Sequence, residues 1–146
     1  MKELFAETEI RASAEHVWKL LTDFDRFPEW NPFLRRASGR LEKGGKLKVF
    51  LQPSGSRGIT LKPTVIRFDP GRELRWLGHL FVPGLFDGEH AFVIEPLGAD
   101  RVRFVQREVF TGILVPLFAH TLDTGTRRGF LEMNQALKLR AERTPD

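Results

Sequence analysis

The chain has 146 residues, 29% of them charged and 41% hydrophobic, with no cysteine and a net charge of +4. That balance fits one soluble domain, 1–146, large enough for a full core or a thinner core around a cavity. It excludes disulfides, thiolate nucleophiles and cysteine-held metals, and with no apolar run long enough for a spanning helix or a secretory signal in MKELFAETEI, the expected compartment is the cytoplasm.

In chain order, LFAETEIRA alternates Phe5, Glu7 and Glu9 against Leu4, Ala6, Thr8 and Ile10 and is predicted to be a strand. Ser13 then caps a predicted helix, AEHVWKLLTDF, with Glu15 in its first turn and Val17, Leu20, Leu21 and Phe24 on one face. Residues 24–33, FDRFPEWNPF, crowd three phenylalanines, a tryptophan and two prolines into ten positions. The prolines bar a long helix or a central strand, so this segment is expected to be a buried turn that walls off the interior.

The segments 34–41, KLKVFLQP, ITLKPTVIRF, RELRWLGHLF, EHAFVIEPLG and DRVRFVQREVF are predicted strands, separated by the turn sequences EKGG, SGSRG, DPG, VPGLFDG and LGAD. No helix intervenes, so the sheet should be antiparallel. From Pro116 the period becomes helical. PLFAHTLDTGTRRGFLEMNQALKLRAER puts Phe118, Leu122, Gly125, Gly129, Phe130, Met133 and Leu137 along one side of a single helix about 40 Å long. Gly125 and Gly129 each lower helix stability by about 1 kcal/mol, so a close approach or a bend is expected there.

The large rings are thirteen Phe and three Trp against no Tyr, a set that mostly lacks hydroxyls and suits an apolar interior. The basic residues are dispersed among acids, a solvated surface rather than a phosphate-binding stripe, so no nucleic-acid partner is expected. His16, His79 and His120 stand far apart with no H-x-H or H-E-x-x-H spacing, and no metal or other cofactor is expected. Neither a G-x-S-x-G elbow nor a phosphate-binding P-loop occurs.

The order strand, helix pair, strands, long final helix resembles the helix-grip fold of the START-related and pollen-allergen-like superfamily. FPEWNPF is similar to the tryptophan-asparagine-proline turn of the polyketide cyclase/dehydrase-like family, and FDPGRELRWLG, GEHAFVIEPLG and REVFTGILVPLF also resemble that family. The resemblance implies an α+β fold: a curved antiparallel sheet wrapped around a long C-terminal helix, with two short helices after the first strand and a cavity between sheet and helix. Trp30 and Phe33 would plug one end of the cavity, and Asn31 would bond to backbone groups that no ladder satisfies.

Alternation in the last strand puts Val102, Phe104, Gln106, Glu108 and Phe110 inward, and His90, Phe92 and Ile94 share a face of the strand before it. The expected lining is Trp76, His90, Phe92, Phe104, Gln106 and Glu108 from the sheet. Leu122, Thr126, Phe130 and Met133 are expected from the helix. Glu108 and His90 are candidates for an acid/base pair, for ligand anchors, or for a buried structural pair that Arg127 or Arg128 could complete. Phe81, Leu85 and Phe86 form an apolar loop around Gly84, either a lid or ordinary packing, and the apolar loops are candidates for membrane or partner contact. The expected partner is one small hydrophobic molecule (a lipid, polyketide, isoprenoid or aromatic metabolite), carried or sensed. An enzyme of cyclase or dehydratase type and an interaction module are the alternatives. Oligomeric state is left open.

Overall fold

The computed structural model describes residues 1–145, so Asp146, the last residue of the expected domain, lies outside the described residues. Strand β1 (Lys2–Ile10) leads to helix α1 (Ala14–Thr22), a 3-10 turn (Phe24–Arg26) and a single helical turn, α2 (Phe27–Trp30). The strands β2 (Leu34–Gly39), β3 (Leu47–Leu51), β4 (Ile59–Leu61), β5 (Thr64–Asp69), β6 (Glu73–Leu80), β7 (Phe86–Gly98) and β8 (Arg101–Thr111) follow. The chain ends in α3 (Val115–Thr121), a π turn (Leu122–Thr126) and α4 (Arg127–Arg143).

All strand pairs are antiparallel, in one sheet of order β1-β8-β7-β6-β5 and a smaller one of order β2-β3-β4. The two meet where Gly44 N donates to Val65 O and Val65 N to Gly45 O, both at 2.8 Å, and Leu47 N donates to Pro63 O at 2.9 Å. The result is the helix-grip arrangement, a curved antiparallel surface holding the C-terminal helix, with α1 and α2 after the first strand.

Period-2 patterning sets the inner face. Leu4, Ala6 and Ile10 of β1 and Val102, Phe104, Gln106 and Phe110 of β8 are buried, while Arg103 and Arg107 pair with glutamates on the outer face. Phe130, Met133, Leu137 and Ala141 of α4, spaced three or four apart, are buried against that face. Each fully buried phenylalanine or leucine here contributes about 1.5–3 kcal/mol relative to exposure. The far end of α4 is tied to β1 and α1. Glu142 accepts from Arg11 N at 2.9 Å, Lys138 Nζ donates to Glu9 O at 2.8 Å, and His16 Nε2 lies 3.2 Å from Ala141 O.

Three elements differ from the sequence-based expectation. ITLKPTVIRF is two strands in two sheets, because Pro63 has no N–H for a continuous ladder, and the chain bends there to pass from β4 to β5. The first helix ends at Thr22 rather than running to Phe24, and Pro28 sits in the first turn of α2, where a missing N–H costs nothing. The C-terminal helix is not uniform. At Leu122–Thr126 it widens into a π turn, with Arg127 N donating to Leu122 O, in a stretch holding Gly125 and two threonines, all weak helix formers.

Asn31 is fully buried and its Oδ1 accepts from Phe33 N at 3.0 Å and Leu34 N at 2.9 Å, satisfying backbone donors at the exit of the aromatic turn.

Candidate functional site

A cavity of about 230 Å³ opens between the sheets and the start of the C-terminal helix. Its floor exists because of two glycines. Gly78 of β6 and Gly88 of β7 are register partners, so no side chain rises from that part of the sheet. Trp76, Leu80, Phe86 and His90 surround the bare patch, and Glu108 reaches it from β8. Leu51, Ile59 and Leu61 form the side contributed by the small sheet. The roof is Phe118, Thr121, Leu122 and Thr126, from α3 and the π turn, and Phe33 and Pro53 close one end.

Ionisable side chains line this apolar space at one place. His90 Nδ1 lies 3.1 Å from Glu108 Oε1, and His90 Nε2 lies 3.0 Å from Gln106 Oε1. Gln106 Nε2 in turn donates to Phe130 O at 3.3 Å and to Asn134 Oδ1 at 2.8 Å. His90 is stacked on Phe92 with ring centroids 4.1 Å apart and flanked by Trp76 and Phe130, so the imidazole has no room to turn. Its side chain is 3% exposed, against 15% for Glu108: the histidine is sealed in the wall and the carboxylate faces the cavity.

The backbone carbonyl of Phe130 can only accept, which orients the Gln106 amide and leaves its Oε1 as an acceptor toward His90. His90 therefore carries a proton on Nε2, and its Nδ1 is turned toward Glu108 Oε1.

Of the residues proposed from sequence, Phe33, Trp76, His90, Glu108, Leu122 and Thr126 line the cavity, and Phe86 joins them. Phe92, Phe104, Gln106, Phe130 and Met133 do not. Phe92, Phe104 and Gln106 face inward from the sheet as expected, but α4 packs on that face with Phe130 and Met133, so all five form the buried layer beside the cavity. Trp30 is a correction as well. It packs edge-on to Phe27 at 5.4 Å and borders a surface groove with Leu139 and Arg140, because the turn of α2 points it outward past α4. Arg127 and Arg128 are exposed and take no part in the Glu108 cluster.

The loop before Phe86 is joined to the segment after β8: Ile113 N donates to Gly84 O at 3.3 Å and Leu114 N to Leu85 O at 2.9 Å. Phe81 and Val82, each 61% exposed, stand at this end of the molecule with exposed Ile113 and Leu117. Phe81 holds a positive φ of 74°, a costly backbone conformation for a bulky residue. Leu85 is half-buried outside the lining, whereas Phe86 packs on Phe118 and Phe110.

Sequence reasoning missed Gly78, Gly88 and Asn134. The signal for the glycines was present, since glycine inside a strand pattern marks a close approach. Asn134 follows Met133 on the buried face of α4, and a polar residue in an apolar stripe calls for a partner.

A profile described as "Polyketide cyclase / dehydrase and lipid transport" matches residues 1–142. Among solved structures, the ZhuI aromatase/cyclase from Streptomyces sp. R1128 superposes with a TM-score of 0.78 at 17% identity, covering 97% of this chain and 94% of that one. A START superfamily protein from Mycobacterium smegmatis gives 0.76 at 19% identity, covering 96% and 97%. A point mutant of norcoclaurine synthase from Thalictrum flavum, in complex with a transition state analogue, gives 0.71 at 16%, covering 96% and 93%. At these identities the likeness is one of fold. No curated protein sequence matches the chain.

Proposed function

Because the chain belongs to the polyketide cyclase/dehydrase and lipid transport family, we propose that it binds one small, largely apolar molecule in the cavity between the sheet and the C-terminal helix. The observation that carries this reading is the glycine-floored, aromatic-walled space with a single charged side chain, Glu108, at its inner surface. The ligand enters at the end where the 81–86 loop meets residues 112–114. Native mass spectrometry of protein purified from its own host, looking for a co-purified small molecule, tests the proposal. A Gly78→Ile variant, which puts a side chain into the cavity floor, should lose that molecule while remaining folded. Retention of the molecule by Gly78→Ile places it elsewhere.

A second reading, an enzyme of cyclase or dehydratase type, is favoured by the adjacent imidazole of His90 and carboxyl of Glu108 at the edge of the ligand space. Structural neighbours titled aromatase/cyclase and norcoclaurine synthase lend it weight. Glu108→Gln separates the two: a carrier keeps its binding, whereas an acid/base enzyme loses turnover by about 10²-fold or more.

A further inference from the structure

The hydrogen-bond inventory of the buried cluster limits which polar group a ligand can bring to Glu108. Two acceptors, Phe130 O and Asn134 Oδ1, take both protons of the Gln106 amide, so Gln106 Oε1 accepts from His90 Nε2. His90 Nδ1 approaches the carboxyl of Glu108 at Oε1, 3.1 Å away, and so covers that oxygen.

The other carboxyl oxygen, Oε2, lies over Gly88 at the cavity floor, in the space a Cβ of residue 88 would occupy. Among the described residues no protein donor reaches it. Oε2 is therefore the carboxyl oxygen left to accept a hydrogen bond from the cavity side.

We infer that the cavity takes a ligand with a neutral hydroxyl on an apolar skeleton, its O–H donating to Glu108 Oε2, and that it discriminates against carboxylates and bare hydrocarbons. This rests on the cavity-binding reading above and narrows it. A ligand carboxylate would set acceptor against acceptor in a desolvated site, and a hydrocarbon would leave Oε2 buried without a partner.

The experiment is a binding series on the intact protein, followed by quenching of Trp76 fluorescence and by calorimetry, with 2-naphthol, naphthalene and 2-naphthoate as size-matched probes. Decahydro-2-naphthol and decalin give the same comparison on a saturated skeleton. Each hydroxyl compound should bind about tenfold or more tighter than its hydrocarbon, and 2-naphthol should exceed 2-naphthoate by at least as much. Glu108→Gln, whose amide nitrogen can donate to His90 Nδ1 while its oxygen keeps the outward position, should preserve the preference. Glu108→Leu should abolish it while still binding naphthalene. Equal affinity for hydroxyl compound and hydrocarbon, tighter binding of the naphthoate, or a preference that survives in Glu108→Leu overturns the inference and leaves the cavity reading standing. Failure of every probe to bind overturns both.

Discussion

The Glu108 carboxylate occupies the space that a side chain at position 88 would fill: a Cβ built on Gly88 would overlap Oε2 and stand 3.4 Å from Cδ. The pair explains why a glycine lies in the middle of a paired strand, where it weakens the local structure. Gly88→Ala should push the carboxylate aside and break its contact with His90. Because the obstructing atom is the end of a flexible chain, the stability cost should be about 1 kcal/mol or less, smaller than ordinary core overpacking. Binding of a hydroxyl-bearing probe should fall by about tenfold. In a Glu108→Ala background the same change should have no further effect on binding, and a double-mutant cycle of the four proteins reads this directly.

Gln106 should matter most for stability. It joins β8 to α4 through Phe130 O and Asn134 Oδ1 and also holds His90 in one tautomer. Gln106→Leu would leave the His90 Nε2–H and Asn134 Oδ1 buried without partners, at about 1–3 kcal/mol each. Urea unfolding should give a loss of about 2–4 kcal/mol. A loss below about 1 kcal/mol would mean that water or a rearranged Asn134 replaces the amide.

Gly129 and Phe33 are in direct contact, and a Cβ at 129 would overlap the Phe33 ring. Phe130 stands edge-on behind that ring at 5.6 Å, so the ring can retreat only into the cavity it lines. Alanine ordinarily gains about 1 kcal/mol over glycine in a helix, but overpacking here costs about 1–3 kcal/mol. Gly129→Ala should therefore be net destabilising by up to about 2 kcal/mol, lower the Tm and shrink the ligand space. Phe33→Leu in the same chain should recover most of the stability. A Gly129→Ala protein more stable than the parent would mean that the ring yields freely.

These contacts also mark how far the sequence could be read. Strand faces were legible because alternation is local: Phe104, Gln106 and Glu108 follow one another at every second position and share the inner face. Whether an inward residue meets ligand space or a packed helix depends on where α4 ends and the π turn begins, and no local period encodes that. Gln106 lies under Phe130 and Asn134, whereas Glu108, two residues along, lies beyond the helix contact. The family resemblance implies Trp30 as a plug, but a turn has no periodicity to say which ring points in. Phe27 and Phe33 are buried there and Trp30 is not. The helix stripe was likewise drawn as if 3.6 residues per turn held throughout, and the π turn rotates everything before Arg127 relative to it.

The loop between β6 and β7 is held by Asp87. His79 Nδ1–H donates to its Oδ1 at 2.7 Å and Gly84 N to its Oδ2 at 3.0 Å. These bonds, with the histidine foremost and desolvation opposing them, keep the Asp87 carboxyl below the ordinary aspartate range. A carboxyl whose folded-state pKa is depressed contributes stability that is complete above its unfolded value and is lost as pH falls through the folded one. The clamp should therefore be intact at neutral pH and weaken only below the usual aspartate range. Asp87→Asn removes the charge without changing the shape. The difference in unfolding free energy between parent and variant should be largest near about pH 7 and shrink toward about pH 3 and below as the parent takes up the same proton. Probe release from Asp87→Asn should be a few-fold faster at neutral pH, and hydrogen exchange at the Gly84 amide should rise with it. A stability difference independent of pH, together with unchanged release, would show that Asp87 holds the loop by packing rather than by its charge.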